Sequence, residues 1–246
     1  MKKIAFLFLT QGNHNCINAW NIFFKNISSF EYSIYCHAKN IPTQQLLLNN
    51  IINTIPTKWA DISLVRATLL LYNEAFKDIN NYFFILVSES CIPISSFKNI
   101  KNILFKNNKS IIHYKHQINK FNRYKKLNLY IKNKISFNKF FTQYQWMILK
   151  RDLVYLFLKN DLTNYFKFID VPDEHYFITI LILFNKHKNI INKKSTYCDW
   201  SNKNSMHPKI FNNISHKDIF IGKHFFLRKI SKKFYINNFY YNLISN

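Results

Sequence analysis

Three continuous apolar runs, separated by segments of helical periodicity, constrain this chain to an α/β fold. The runs are Lys3 to Thr10, Tyr32 to His37 and Tyr82 to Val87. Between them, Ala19 to Asn26 predicts a helix, and so does the stretch 59–76, which opens on a capping segment. Strands that read as unbroken apolar runs are typical of a parallel sheet covered by helices. We therefore predict one α/β domain with a mainly parallel central sheet flanked by helices.

Polar residues follow each of these predicted strands. Thr10 to His14 follow the first, His37 to Lys39 end the second, and Ser88 to Ser90 end the third. Ligands of open α/β sheets bind beyond the carboxyl ends of the strands. We expect these three groups to converge on one face.

The rest of the chain gives weaker signals and no sign of a second domain. Residues 107–139 are rich in Lys and Asn, which favours a solvated variable insertion, with an ordered loop on the acceptor side of a site as the alternative. Phe141 to Arg151 predicts a strand that leads into a helix near Arg151, and Ser195 to Trp200 predicts another strand. No internal repeat or Gly-rich linker divides residues 1–246.

The composition is that of a globular protein with a strong positive charge. Apolar residues make up 48% of the chain and aromatic residues 18%, which excludes a disordered polypeptide. The formal net charge of +23 invites a nucleic-acid function, because clustered cations displace phosphate counterions. The excess of Lys, Asn, Ile, Phe and Tyr is also typical of an A+T-rich coding sequence. No recognition motif accompanies the charge, so we expect weak association with polyanions and no specific nucleic-acid partner.

Motifs for several common chemistries are absent from the sequence. With two glycines in all, neither a G-x-G-x-x-G fingerprint nor a P-loop can occur. There is no H-E-x-x-H or G-x-S-x-G, and no Asp-x-Asp pair for a divalent metal. The four cysteines form no C-x-x-C pair, which favours free thiols. We predict neither a metal nor a cofactor.

The sequence also carries no evident signal peptide or membrane span. The apolar run Ile4 to Leu9 is too short for either, and no other segment reaches transmembrane length without charges. The expected location is the cytoplasm, or a membrane surface contacted peripherally through basic residues.

Two adjacent carboxylates enter an apolar segment in the motif Val171 to Phe177. Asp173 and Glu174 follow Pro172 and precede the run Ile178 to Phe184, in a chain with only 12 acidic residues. Helix capping explains acids in a first turn, because they complement the helix dipole. A general base at the mouth of a cleft is the alternative explanation.

The ordered set of motifs resembles the core-2/I-branching β-N-acetylglucosaminyltransferase family, including its plant-type members. The matching segments occur in family order over almost the whole chain, and the match fades within 107–139. The segments are Ile4–Thr10, Tyr32–His37, Ile55–Trp59 with Ser63, Phe83–Pro93, Gln145–Trp146 with Arg151, Val171–Phe177, Thr196–Ser201 with His207–Pro208, and Phe226–Lys229.

The resemblance implies a GT-A-like nucleotide-sugar-binding domain and an inverting glycosyltransferase that needs no divalent metal. Such an enzyme would move a sugar, with N-acetylglucosamine as the first candidate, from a UDP-sugar to a hydroxyl of a glycan or glycoconjugate. The family's catalytic carboxylate falls on Glu174, and its diphosphate-binding cations fall near Arg228 and Lys229. In these terms, 1–106 is the nucleotide-sugar-binding half and 140–246 the acceptor and catalytic half.

The residue types suit that chemistry on general grounds as well. Inverting transfer needs one base to take the acceptor proton while the oxygen displaces UDP in line. Without a metal, Lys, Arg and backbone N–H groups can neutralise the departing diphosphate. The basic segment 223–233 offers such cations, and a solvated amphipathic face is its alternative role.

Weaker candidates complete the predicted site. Thr10 and His37 end strands on the uridine side, although the Asp that many family members carry just after the second strand is missing. Glu89, Trp146 and Asp199–Trp200 are candidate sugar or acceptor contacts. Their alternatives are loop hydrogen bonding for Glu89, core packing for Trp146 and buried capping for Asp199–Trp200.

Two rival functions remain open on this sequence. A glycoside hydrolase would need a second carboxylate across the cleft from Glu174, and the adjacent Asp173 is poorly placed for that role. A non-catalytic polyanion-binding or nucleic-acid-binding protein on a degenerate transferase fold is the alternative outside enzymology.

Overall fold

A four-stranded sheet forms the centre of the fold. The structure is a computed structural model and describes residues 1–202, 205, 207–218 and 221–246. The strands are β1 (Lys3–Thr10), β2 (Tyr32–Ala38), β3 (Asn81–Ser88) and β7 (Ile148–Lys150), and they lie side by side in the order β2-β1-β3-β7. The first three are parallel and β7 is antiparallel to β3. The predicted α/β class and mainly parallel sheet are therefore confirmed, with one antiparallel strand at an edge.

Helices lie between and around these strands. The longer ones are α1 (Ile17–Phe24), α3 (Ile62–Phe76), α4 (Phe97–Asn107), α7 (Arg151–Lys159) and α8 (Tyr176–Leu183). The shorter ones are α2 (Gln45–Leu48), α5 (Phe121–Lys125), α6 (Leu129–Lys132) and α9 (Asn238–Ile244). Within the described ranges, no helix is both long enough and apolar enough to cross a bilayer.

Both faces of the central sheet are covered by helices, which is why its strands read as unbroken apolar runs. On one face, Phe6 of β1 packs against Trp20 of α1, with ring centroids 5.7 Å apart. On the other face, Phe84 of β3 packs against Tyr72 of α3 at 6.3 Å. Phe84 pairs with Ala5 in the sheet, and successive residues of a strand point to opposite faces, so Phe6 and Phe84 face opposite helix layers.

Short strands build two smaller sheets beside the central one. Strands β4 (Cys91–Pro93), β9 (Phe226–Arg228) and β8 (Thr196–Cys198) form a three-stranded sheet in the order β4-β9-β8. Strands β5 (Tyr114–His116) and β6 (Phe141–Gln143) form an antiparallel pair. Single 3-10 turns occur at Ile118–Lys120, Phe137–Lys139, Thr163–Phe166, Pro172–Glu174 and His187–Asn189.

The segment 107–139 is ordered, contrary to the solvated insertion favoured by its composition. It contains β5, α5 and α6, and five of its aliphatic side chains are buried in the main core, namely Ile111, Ile112, Leu127, Ile131 and Ile135. The abundance of Lys and Asn concealed this spacing of apolar residues. Because the segment packs on the core, its polar side chains have defined positions near the candidate site.

Arg151 has a structural role at the start of α7. Its guanidinium donates hydrogen bonds to the carbonyl oxygens of Asp78 and Asn81, at 2.9 and 3.1 Å, and to that of Phe76 at 2.8 Å. The last turn of a helix leaves carbonyl groups without partners, and a cation there also suits the helix dipole. Arg151 thereby joins α7 to the end of α3 and to the start of β3.

Candidate active site

The carboxyl ends of the three parallel strands meet as predicted. Leu9 pairs with His37 on one side and with Ser88 on the other, and Thr10 pairs with Ala38. The Thr10 hydroxyl lies 3.9 Å from the Cys36 sulfur. These strand ends therefore form one edge, as the sequence indicated.

His37 is fully buried and holds a backbone segment in place. Its Nε2 accepts the N–H of Ile55 at 3.0 Å, which places the proton on Nδ1. Burial lowers the pKa of His37, so the ring is neutral near pH 7. Nε2 of His37 thus already accepts a hydrogen bond from the backbone. A contact of His37 with the UDP-sugar stays a prediction.

A residue with left-handed backbone conformation, Val171, precedes the turn that carries the two carboxylates of the acidic motif. Val171 has φ 52°, an unusual value for a β-branched residue, and Pro172 opens the 3-10 turn that ends at Glu174. The N–H of Val171 donates to the carbonyl oxygen of Ala60 at 3.3 Å, and Ala60 is itself left-handed with φ 59°. Two strained turns thus fix where the carboxylates leave the backbone.

Glu174 forms an ion pair with Arg123, a residue of α5. Arg123 Nη1 lies 2.6 Å from Glu174 Oε2. The Arg123 side chain is 18% exposed and the Glu174 side chain 38% exposed, so the carboxylate reaches the surface while its partner lies beneath it. Within the described part of the chain, Oε1 of Glu174 has no hydrogen-bond partner, so this oxygen is open to a ligand.

His175 contacts the same nitrogen of Arg123 that Glu174 does. Its Nε2 accepts from Arg123 Nη1 at 3.1 Å, because a guanidinium can only donate. Its Nδ1–H donates to the carbonyl oxygen of Phe141 at 2.9 Å, and its ring stacks on Phe140 at 4.4 Å. Burial lowers the pKa of His175 to about 3, which keeps the ring neutral beside the guanidinium. Arg123 is therefore held between a neutral acceptor and the Glu174 carboxylate.

Asp173 has a very different environment from Glu174. Its side chain is 7% exposed, and Oδ1 has no hydrogen-bond partner among the described residues. Burial raises the pKa of Asp173 to about 7, and the charge of Glu174 adds to the rise. Both acids lie in the first turn after Pro172, but the turn is a separate 3-10 turn and α8 begins only at Tyr176. The capping role predicted for Asp173 is therefore wrong for α8, since neither the 3-10 turn nor α8 has a side-chain cap hydrogen bond.

Arg228 is the last residue of β9 in the three-stranded sheet, and its side chain contacts the end of β3. It pairs with Cys91 of β4 and Cys198 of β8, and its Nε donates to the Ser88 hydroxyl at 3.3 Å. Its guanidinium lies 4.8 Å from the ring centroid of Trp146. Planar stacking of this kind fixes a guanidinium in orientation while leaving some of its N–H groups free to donate.

Lys229 follows Arg228 in the chain, and Trp146 contacts the Arg228 guanidinium. Lys229 is half-buried, and its carbonyl oxygen accepts the N–H of Phe211 at 2.8 Å. Trp146 is 8% exposed, so the core-packing alternative holds for most of its ring. Arg228 lies over the face of this ring.

The segment 143–146 contacts both the acidic motif that carries Glu174 and the side chain of Arg228. Gln143 Nε2 donates to the carbonyl oxygen of Asp173 at 3.2 Å, and Gln143 Oε1 accepts the N–H of Ile178. Trp146, three residues further on, contacts Arg228. The Cα atoms of Gln143 and Trp146 are therefore at most about 11 Å apart. The acidic motif contacts one end of this short stretch, and the Arg228 guanidinium contacts the other.

Glu89 and Asp199 make local hydrogen bonds, although each follows in the chain a residue that contacts or pairs with Arg228. Glu89 is half-buried, and its carbonyl oxygen accepts the N–H of Asn15 at 2.8 Å, which fits the loop alternative. Asp199 Oδ1 accepts the N–H of Ser201 at 2.9 Å and organises a turn that is not buried. Trp200 is 46% exposed. Sugar contacts by these residues stay predictions.

Sequence reasoning missed Arg123, Gln143 and His175. Arg123 could have been singled out from the sequence, because arginine is rare in this chain: only four of its 35 cationic residues are arginines. Guanidinium groups suit fixed contacts with several acceptors better than ammonium groups do. Arg123, Arg151 and Arg228 all make such contacts. The described residues contain no group of three or more His, Cys, Asp or Glu side chains arranged to hold a metal ion.

Comparison with known proteins bears on the family of this chain. The family model described as Core-2/I-Branching enzyme matches residues 4–221. A relative from Oryza sativa subsp. japonica, glycosyltransferase BC10, is 27% identical over 103 residues, which are 39% of this chain and 26% of the relative. The aligned part thus spans about a quarter of that protein's length.

Two solved structures show distant likeness. Galactosyltransferase LgtC, in complex with donor and acceptor sugar analogs, matches 79% of this chain and 75% of its own at 10% identity, with a TM-score of 0.37. The protein A197 from STIV matches 62% of this chain and 67% of its own at 9% identity, with a TM-score of 0.30. Likenesses at these TM-scores are too distant to support a functional conclusion. Because the family model covers most of the chain, including the acidic motif and the strand ends, the chain belongs to the core-2/I-branching enzyme family of glycosyltransferases.

Proposed function

We propose that this protein is an inverting glycosyltransferase that works without a divalent metal. It transfers N-acetylglucosamine from UDP-N-acetylglucosamine to a hydroxyl of a glycan or glycoconjugate, with Glu174 as general base. Family membership supports the reaction class. The observation that carries the assignment of the base is the arrangement Arg123–Glu174, in which one carboxylate oxygen is bound and the other is open.

Glu174 suits the role of base because its carboxylate is partly exposed and held in a fixed orientation. The Arg123 contact at Oε2 fixes the direction of the carboxylate, and His175 fixes Arg123. An acceptor hydroxyl bound at Oε1 would pass its proton to Glu174 as the hydroxyl oxygen bonds to the anomeric carbon and the bond to UDP breaks. Attack on the side opposite the leaving group inverts that carbon.

Arg228 and Lys229 suit the role of counter-charges for the departing diphosphate. Arg228 is held against Trp146 and Ser88 at the carboxyl end of β3, where ligands of such sheets bind. Cations fixed before the reaction stabilise developing negative charge without reorganisation. Thr10 and His37 lie at the adjoining strand ends, and we propose that the uridine binds on their side.

The test is a transfer assay with UDP-N-acetylglucosamine, a panel of other UDP-sugars and EDTA throughout. We expect transfer or slow donor hydrolysis to persist in EDTA. Glu174→Gln should lower kcat by a factor of about 100 to 10,000, the usual contribution of a general base. Glu74→Gln is the matched control, because Glu74 lies on α3 in a surface pair with Lys77.

Two outcomes would contradict this proposal. Activity that disappears in EDTA and returns with Mn²⁺ would overturn the metal-free mechanism. Unchanged activity in Glu174→Gln would overturn the assignment of the base. If no UDP-sugar binds while RNA binds tightly and with a steep salt dependence, the polyanion-binding alternative replaces the transferase.

A further inference from the structure

We propose that a basic apolar surface, consisting of residues 118–134 together with Phe168, binds anionic lipid bilayers peripherally. This inference goes beyond the transfer reaction proposed above. It rests on the exposure of large apolar side chains, on the contacts that join the segments carrying them, and on the charge around them.

Large apolar side chains of this surface are exposed to water. Ile118 is 79% exposed, Leu129 69% and Phe168 80%, and Phe121 and Tyr130 are exposed to a lesser degree. Single exposed apolar residues are common, but a group of them on neighbouring elements marks an interaction site. The same segment buries Leu127, Ile131 and Ile135, so its outward apolar residues are additional to the ones that pack the core.

Specific contacts join the segments into one surface. Lys132 Nζ of α6 donates to the carbonyl oxygen of Lys125 in α5 at 3.2 Å. The ring of Tyr130 stacks on that of Tyr165 at 4.8 Å, which joins α6 to the stretch that carries Phe168. Lys126 and Asp170 form an ion pair at 2.8 Å between α5 and the same stretch.

The charge of this surface is strongly positive. Residues 118–134 contain six cationic side chains and no acidic one, and the cations are Lys120, Arg123, Lys125, Lys126, Lys132 and Lys134. Arg123 and Lys126 are paired with carboxylates from elsewhere. Among the described residues, the other four form no salt bridge. A surface of this sign attracts anionic headgroups.

Lysines beside aromatic rings are suited to a membrane interface. The ammonium of Lys125 lies 4.8 Å from the ring centroid of Phe121, and that of Lys134 lies 4.4 Å from that of Tyr130. At a bilayer surface, aromatic rings sit at the headgroup level and lysine stems follow apolar surface while the ammonium stays hydrated. The side chains on this surface therefore match the layering of a headgroup region.

The aliphatic residues favour a bilayer over a nucleic acid. A phosphate backbone would engage the lysines, and bases could stack on Phe121 or Tyr130. Neither interaction would remove Ile118 and Leu129 from water. Insertion at the boundary between headgroups and acyl chains buries both, and this burial adds to the electrostatic attraction.

The position of this surface next to Glu174 has a functional consequence. Arg123, the ion-pair partner of Glu174, lies on α5 within the same segment. A bilayer bound there would bring a lipid-linked acceptor close to the catalytic carboxylate. This consequence rests on the proposed function, whereas bilayer binding itself does not.

Flotation of the full chain with lipid vesicles tests the proposal. We expect binding to vesicles of phosphatidylcholine with phosphatidylglycerol, weak binding to phosphatidylcholine alone, and loss of binding at high salt. The neutral double variant Ile118→Ser/Leu129→Ser should weaken partitioning at least about tenfold with no change in charge. The double variant Lys125→Gln/Lys134→Gln should weaken it roughly 30-fold.

Matched controls separate this surface from a general effect of composition. Ile79→Ser/Phe30→Ser removes two side chains that are 81% and 71% exposed near the amino ends of β3 and β2, and it should leave partitioning unchanged. Lys98→Gln/Lys188→Gln is the control for charge, because both lysines are exposed elsewhere. Transfer to a soluble acceptor should remain unchanged in the serine variants, which shows that they are folded.

The proposal is overturned by either of two results. Loss of vesicle binding that is equal in the control variants would show that position does not matter. If Ile118→Ser/Leu129→Ser binds vesicles like the wild type, while the Lys→Gln variants lose vesicles and single-stranded RNA alike, the surface is a general polyanion binder. Neither result bears on transfer to a soluble acceptor, so failure here is distinct from failure of the proposed function.

Discussion

Glu174 and Asp173 are neighbours in the chain, yet their surroundings assign them different chemistry. Glu174 is charged, half-exposed and paired with Arg123. Asp173 is buried with one oxygen unpartnered, and burial raises its pKa to about 7. A base must be within reach of its substrate, and of these two carboxylates only Glu174 reaches the surface. We therefore propose Glu174 for the chemistry, whereas Asp173 is a carboxyl group whose charge is costly to the fold.

Replacement of Arg123 should affect activity more than stability. In Arg123→Gln, Glu174 loses the contact at Oε2 that sets its direction, so we expect kcat to fall at least about tenfold. The stability loss should stay near 1 kcal/mol, because the carboxylate partner is solvent-exposed. Arg66→Gln is the control, since among the residues that the structure describes Arg66 donates a single long hydrogen bond, to Asn164 at 3.4 Å. Steady-state kinetics and urea unfolding measure the two effects, and a change in KM alone would argue against positioning.

Replacement of Asp173 should stabilise the protein in a pH-dependent manner. Its pKa in the folded state lies above the ordinary value of 3.8, so the stability it contributes is present below about pH 4 and is lost as the pH rises to about 7. A rise of about three pKa units corresponds to about 4 kcal/mol. Asp173→Asn removes this cost. Its free energy of unfolding should exceed that of the wild type at about pH 8 and match it near pH 4.

Urea unfolding of Asp173→Asn at the two pH values makes the comparison. Asp170→Asn is the matched control, because Asp170 is exposed and paired with Lys126. A gain in stability that is the same at both pH values would show that ionisation of Asp173 is not its source.

At the scale of elements, short connections between helices and strands decide where the site lies. Arg151 joins α7 to the end of α3 through the carbonyl oxygen of Phe76, and to the start of β3 through those of Asp78 and Asn81. Val171 and Ala60 join the acidic turn to the segment before α3. One connection lies at each end of α3, which packs on the central sheet, so the acidic turn is positioned relative to the strand ends.

The exchange of Arg151 for Lys should test the first of these connections. A single ammonium cannot reach all three carbonyl groups in the planar geometry that the guanidinium satisfies. With one or two of these hydrogen bonds lost, Arg151→Lys should lower the free energy of unfolding by about 2 kcal/mol. Urea unfolding measures this, with Arg66→Lys as the control. Equal stability of the two variants would mean that the connection contributes little.

At the scale of the whole molecule, the net charge of +23 produces behaviour that is separate from the site. A surface with this excess of lysine attracts any polyanion, and such binding weakens steeply with salt through counterion release. It needs no defined geometry. Membrane binding through residues 118–134 uses the same attraction and adds burial of apolar side chains.

RNA binding by the wild type and by Glu174→Gln should therefore be the same within error, apart from a small gain from the lost negative charge. The logarithm of the affinity should fall linearly with the logarithm of salt concentration, by at least about 100-fold between low and physiological salt. Filter binding with two unrelated single-stranded sequences checks this. Salt-resistant binding to one of the two sequences would contradict a non-specific origin.

Much of the fold was predictable because its signals are local. Unbroken apolar runs predicted β1, β2 and β3, and the capping segment at 59–63 predicted the start of α3, where Asp61 accepts the N–H of Ser63 at 2.8 Å. The segment 107–139 was predicted to be a solvated insertion, because its many charged and polar residues outweighed the spacing of its aliphatic residues. Several of those aliphatic residues are buried in the core. Arg123 was missed with this segment.

The sequence by itself determined the class of the fold, the convergence of the strand ends and the candidacy of Glu174, because apolar periodicity and motif order are properties of neighbouring residues. Only the tertiary structure decided which acid is exposed, that Arg123 pairs with it 51 positions away, and that Arg228 lies against Trp146. Charge, burial and pKa depend on which distant side chains pack around a group. That information resides in the packing of the chain and not in any one motif.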